Sequence, residues 1–177
     1  MKYFFGLLFL LSNCGYAQKL AYLEEFGSKT YFEPPDSSVW ILDENEMTEY
    51  GTHILMFKHV PINDSLGRIV QPVLSLIIES VKDSSDVVTF SIEKMVDAHY
   101  KIKTLKDLMY KDGYFSQRNS IGYLGQYQRE DVIHTIYFCC IRNSDIGVTI
   151  ICDSTDELFE KVREDMLRFI KSVGINE

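Results

Sequence analysis

The histidines and cysteines are the residues best suited to nucleophilic or metal chemistry, and their spacing argues against both. A catalytic thiol must lie within hydrogen-bond reach of an imidazole. His134 and Cys140 share one face of the strand-like run Val132–Arg142, but six residues at about 3.3 Å each set them ~20 Å apart. The same arithmetic stops His53 and His59 from ligating one metal ion, and His99 stands alone. Zinc needs about four convergent ligands, and neither Cys-x-x-Cys nor His-x-His occurs. Ser120 and Ser144 stand in loop-like sequence without the Gly-x-Ser-x-Gly elbow of a hydrolase. The acidic run Asp43-Glu44-Asn45-Glu46 offers oxygen ligands but lacks the Asp-x-Asp-x-Asp-Gly spacing of a calcium loop, and it reads as a solvated loop. No catalytic residue, metal site or cofactor is expected.

Binding chemistry is the better prospect. Tyr114, Arg118, Tyr123, Tyr127 and Arg129 alternate aromatic and cationic side chains over sixteen positions. Tyrosine and arginine combine apolar area with hydrogen bonding, which enriches them at interfaces. The competing reading places these tyrosines on sheet strands, between core and solvent. A binding role predicts a contiguous exposed aromatic patch around Tyr123 and Tyr127.

The elements that would position these residues follow a sequence of address signals. Lys2 precedes an apolar run from Tyr3 to Leu11, then small and polar residues, with Gly15 and Ala17 at the positions a signal peptidase favours. Residues 1–17 are therefore expected to be a signal peptide, leaving 18–177 as one domain. Nine apolar residues fall short of the ~20 that span a bilayer, so no transmembrane helix is expected after signal removal. Leu11-Ser12-Asn13-Cys14 offers an alternative as a lipoprotein signal anchored through Cys14, although Asn13 stands where Gly, Ala or Ser is usual. Either way the expected location is extracytoplasmic, periplasmic or secreted.

The chain has 177 residues with a net charge of −8; without residues 1–17, which hold Lys2 and no acid, 17 cations face 26 acids. Such a balance, with no Lys/Arg cluster, excludes nucleic acid as a natural partner and gives no polybasic attraction to a membrane. Three cysteines then remain: Cys139, Cys140 and Cys152. Neighbouring strand residues point to opposite faces, so Cys139 and Cys140 should not pair. Either approaches Cys152 according to register, or all three are small buried apolar residues.

Strands are expected at Lys29–Glu33, stopped by Pro34-Pro35, then at His53–Val60 and Val73–Val81, the last with a helix as the weaker alternative. Leu20–Phe26 reads as a lead-in, and Asn63–Gly67 and Asp83–Asp86 as loops. From an N-cap at Ser91 the spacing Ile92, Met95, Val96, Ile102, Leu105, Met109 suits one helix face, broken near Tyr100, with Gly113 beyond its end. Tyr114–Leu124 and Gln126–Glu130 suit a strand and a turn. Val132–Arg142 and Val148–Cys152 form a hairpin. A capping box at Ser154 and Glu157 opens a helix with an apolar stripe from Leu158 to Val173, closed by Gly174.

Two stretches resemble the PsbP-like fold family, which includes exported bacterial PsbP-like and DcrB-like proteins. They are Tyr31-Phe32-Glu33-Pro34-Pro35 with Trp40, and Gly147–Ile151 with Ser154, Phe159, Phe169, Ile170 and Ser172. The resemblance implies an α+β sandwich: a central antiparallel β-sheet of about six strands flanked by two main α-helices. It implies adaptor or assembly roles rather than a shared activity. The expected function is thus an exported, non-catalytic domain that binds a protein partner or assists assembly in the cell envelope. Carriage of a small apolar ligand, or an enzyme whose site forms only in three dimensions, are the alternatives.

Overall fold

The computed structural model describes residues 20–81, 86–98 and 101–176. The signal segment, Cys14, His99, Tyr100 and most of the 83–86 loop lie outside these residues. Among the described residues twelve strands and two α-helices follow in chain order: β1 (Ala21–Glu25), β2 (Ser28–Phe32), β3 (Trp40–Met47), β4 (His53–His59), β5 (Ile62–Asn63), β6 (Ile69–Val70), β7 (Val73–Ser80), α1 (Val87–Asp97), β8 (Lys103–Met109), β9 (Ser120–Arg129), β10 (Val132–Asn143), β11 (Ile146–Thr155), α2 (Asp156–Ser172) and β12 (Gly174–Asn176). This corrects the expected α+β class with about six strands. The described chain is mostly β, built on a seven-stranded antiparallel sheet in the order β3-β4-β7-β11-β10-β9-β8, beside a three-stranded sheet β1-β2-β12 and the ribbon β5-β6.

The added strands come from segments that carry little strand signal. The lead-in is β1, paired with β2 through a turn at Phe26-Gly27 where both residues have positive φ. The supposed acidic loop is edge strand β3, whose charged side chains tolerate exposure because no further strand covers them. The long helix expected from Ser91 is really α1, capped by the Asp86 carboxylate on the Thr89 amide, followed by edge strand β8. Gly113 closes only a short 3-10 turn, Tyr110–Asp112. Gly174 does not end the chain's structure but begins β12 against β2.

Register divides the large sheet into two faces. On one, Leu55, Phe57, Leu74, Leu76, Ile78, Ile150, Cys152, Tyr137, Cys139 and Ile141 pack with the stripe of α2 and with residues of the small sheet. Phe32, Phe57 and Phe169 meet there edge to face, their ring centroids 6.1–6.4 Å apart, the favoured geometry of aromatic quadrupoles. On the opposite face α1 seats Phe90 over Phe138, Cys140 and Ile121. Gly147 makes that seat possible, since a Cβ there would run into the Phe90 ring. Among the described residues no helix is long and apolar enough to cross a membrane.

Candidate functional site

The five residues singled out from the sequence do not form one surface. Tyr114 follows the 3-10 turn, packs against the core beneath α2 and accepts a hydrogen bond from Lys106 Nζ (2.8 Å). Tyr123 lies on the opposite face under α1, its hydroxyl 3.0 Å from Ser91 Oγ. Tyr127 is buried, stacked on His134 with centroids 5.0 Å apart, and donates to Asp153 Oδ2 (2.7 Å). Arg118 is exposed in the loop before β9, and Arg129 is exposed beside the hairpin turn Glu130-Asp131. The expected contiguous exposed aromatic patch is absent: Tyr123 and Tyr127 share one face of β9, but α1 covers the first and the second is buried against His134, while Tyr114 packs on the other face.

What the fold does assemble is a polar network of Tyr127, His134 and Asp153. These three sit on neighbouring strands, and their register places them on the α1 face beyond the end of the helix. His134 Nδ1–H donates to Asp153 Oδ1 at 3.2 Å, so Asp153 orients both the imidazole and the phenol. A carboxylate that fixes a histidine tautomer is half of a nucleophile-activating arrangement. The hydroxyl opposite His134 in register is Thr155 Oγ1, which is buried and makes no hydrogen bond. The network lacks a bonded nucleophile and orders the β10–β11 end instead.

The remaining chemical candidates are held in structural duties. His53 lies 2.9 Å from Glu25 Oε1 and 2.7 Å from Asn45 Oδ1, joining β1, β3 and β4. His59 sits 2.7 Å from the Val60 carbonyl and edge-on to Trp40. Cys139 and Cys152 share the α2 face and Cys140 the other, and all three thiols are free and buried. Burial disfavours each thiolate: the Cys140 thiol is pushed up to about 12, and Cys139 and Cys152 lie above the ordinary thiol range for the same reason. Thiols so protonated are poor nucleophiles. Asp43 binds Lys58 (2.7 Å), Asn45 reaches His53, and Glu44 and Glu46 fall on the α1 face, so the acidic run does not converge on a cation. Among the described residues no group of three or more His, Cys, Asp or Glu side chains is placed to hold a metal.

One partly open apolar surface was not singled out from the sequence. α1 covers β9 and β10, with Phe90 against Gly147 of β11 and Lys94 paired with Glu79 of β7, and the rest of that face of β3, β4, β7 and β11 lies beyond it. There Ile54, Met56, Val73, Ile77 and Ile151 stand half-buried, and Ile41 is 55% exposed. Glu44 and Glu46 border this strip along β3, opposite Met56 and Ile54. A signal was present in His53–His59, where both alternating sets are largely apolar; nothing in the sequence says which set lacks a cover. No family model matches the chain, and a search of curated proteins finds no relative.

Proposed function

We propose that this chain is an exported, non-catalytic binding domain that docks a protein partner on the open strip of its seven-stranded sheet. The observation that carries this reading is six apolar side chains, Ile41, Ile54, Met56, Val73, Ile77 and Ile151, left partly open across four adjacent strands. Apolar surface of this kind, here interrupted by Lys58 and Ser75, marks interaction sites. Among the described residues Glu44 and Glu46 close no ion pair, Glu44 acting on Lys58 only at longer range, so the complementary partner carries lysine or arginine beside an apolar segment. The resemblance of the Tyr31–Pro35 and Gly147–Ser172 stretches to PsbP-like proteins, among which adaptors and assembly factors occur, supports the same role. The signal-like opening Lys2, Tyr3–Leu11, Gly15, Ala17 supports an extracytoplasmic place of action.

Where Phe32, Phe57 and Phe169 pack beneath α2, their rings fill the space that carriage of an apolar ligand between sheet and helix would need. A photo-crosslinking residue at Met56, compared with one at Lys161 on the outer surface of α2, tests the docking surface in the native envelope. The reading requires a discrete adduct from position 56 that weakens when Glu44 and Glu46 are both changed to Gln. Identical adduct patterns from the two positions would reject it.

A further inference from the structure

A second site lies on the opposite, α2-covered face, and it does not depend on the docking strip. Tyr137, Leu124 and Lys106 occupy one row across β10, β9 and β8, so the phenol and the ammonium flank Leu124. Tyr114 closes over Lys106, receiving its Nζ hydrogen bond at 2.8 Å and holding the same ammonium 5.1 Å from its ring centroid. From α2, Arg163 Nε donates to the Tyr137 hydroxyl at 3.4 Å. The four groups sense one another: Tyr114 and Arg163 both act on the Tyr137 phenol, and Tyr137 acts on Lys106.

The hydrogen bonding here is unbalanced in one direction. Lys106 and Arg163 rest on phenol oxygens, which accept a bond but bring no negative charge. Each phenol keeps its own O–H, and among the described residues neither proton has an acceptor. Tyr137 is only 2% exposed, so its hydroxyl has little access to bulk water. The nearby acids do not complete the set. Glu160 meets Arg163 Nη1 at 3.3 Å from an exposed position, and Asp112 acts on Lys106 only at longer range. The exposed Lys106 and the half-exposed Arg163 have N–H donors beyond these bonds, and the buried Tyr137 hydroxyl has no acceptor among the described residues, although buried donors are ordinarily paired.

We infer that Lys106, Tyr114, Tyr137 and Arg163 form a subsite for a small oxyanion, a carboxylate or phosphate group of a soluble molecule. The two cations supply charge-assisted bonds, the phenols supply directed donors, and Leu124 gives an apolar floor for the body of the ligand. A carboxylate with a short alkyl tail uses that floor, whereas inorganic phosphate does not.

Titrating the mature protein with propionate and with inorganic phosphate, each against chloride at matched ionic strength, tests this by amide and arginine Nε NMR shifts. Saturable shifts are expected at Lys106, Tyr114 and Arg163. Tyr114→Phe, which keeps the ring packing, and Arg163→Met should each weaken binding about 10-fold, the size of one lost charged hydrogen bond. Lys161→Met, elsewhere on α2, should leave it unchanged. Tighter binding of propionate identifies a carboxylate ligand, and tighter binding of phosphate a phosphorylated one. Shifts equal to those in chloride, or equal affinity in Tyr114→Phe and Arg163→Met, would overturn the assignment.

Discussion

The two faces of the seven-stranded sheet are made from the same strands and end in different states. Along β4, Leu55 and Phe57 are sealed beneath the layer that includes α2, whereas Ile54 and Met56 look out between them. Along β7 the sealed residues are Leu74, Leu76 and Ile78, and the open ones Val73 and Ile77. Composition does not separate the two sets, since both are apolar. The difference is supplied from elsewhere in the chain: α2 has seventeen residues and the small sheet beside it, while α1 has eleven, covers β9 and β10, and touches β11 and β7 only at Gly147, Ile151 and Glu79. Apolar patterning therefore defines which surfaces need a cover, and helix length and placement decide which of them receive one inside the chain.

Breaking the covered face should produce the largest effect. Phe169 joins Phe32 and Phe57 at the centre of that layer. Phe169→Ala is expected to cost about 3–5 kcal/mol through lost burial and the remaining cavity, read from denaturant midpoints. A loss below about 1 kcal/mol would mean that the layer can collapse around the gap and is less tightly packed than its geometry implies.

Gly147 probes the short helix in the same way. Placing a methyl group where Phe90 rests on β11 forces that ring out, so Gly147→Ala should cost about 1–3 kcal/mol by overpacking. Hydrogen exchange should accelerate in Val87–Asp97 while α2 keeps its protection. Equal acceleration in both helices would show that the two faces melt as one unit.

How far this organisation was legible depended on whether each strand had a buried side. β7 and β10 were recognisable because continuous burial selects Val, Ile and Phe. β3 and β8 were hidden because they are sheet edges with charged, exposed side chains. In β8 the shift in register between Thr104 and Lys106 also breaks the two-residue period, so Ile102, Leu105 and Met109 mimic helical spacing. The cap at Ser154 was displaced because β11 continues through Thr155, which pairs with His134; Thr155 becomes the N-cap and Glu157 turns to Ser65. Tyr114 was recognisable as a binding side chain, but Lys106 and Arg163 reach it only through strand register and helix packing.

The three thiols sharpen the comparison, because they report dryness on both faces at once. Each has its ionised form disfavoured by burial, with Cys140 under α1 as well as Cys139 and Cys152 under α2. The unfolded chain ionises them near the ordinary thiol value, about 8.5. Their protonated burial is therefore fully compatible with folding below that pH. Stability should fall as pH rises above it, by about 1.4 kcal/mol per pH unit for each thiol until the folded value is reached. Cys140→Ala should reduce this alkaline slope by about one thiol's share, measured from denaturation at pH 8.5–10. An unchanged slope would mean that water reaches Cys140 and that α1 seals its part of the sheet poorly.

The smallest stability effect should come from the open strip, and that is what makes it informative. Met56 lies one residue from Leu55 on the same strand but faces away from the α2 layer. Met56→Ala, at a half-buried side chain, should change folding stability by about 1 kcal/mol or less, whereas Leu55→Ala should cost about 2–5 kcal/mol. If the strip exists for a partner, the order reverses when binding is measured at a denaturant-free temperature where both variants are folded. Met56→Ala should lose the crosslinked or co-purified partner, and Leu55→Ala should retain it. A Met56 variant that is substantially destabilised would show instead that this side chain is sealed within the chain, and the contrast between the two faces would then be one of degree.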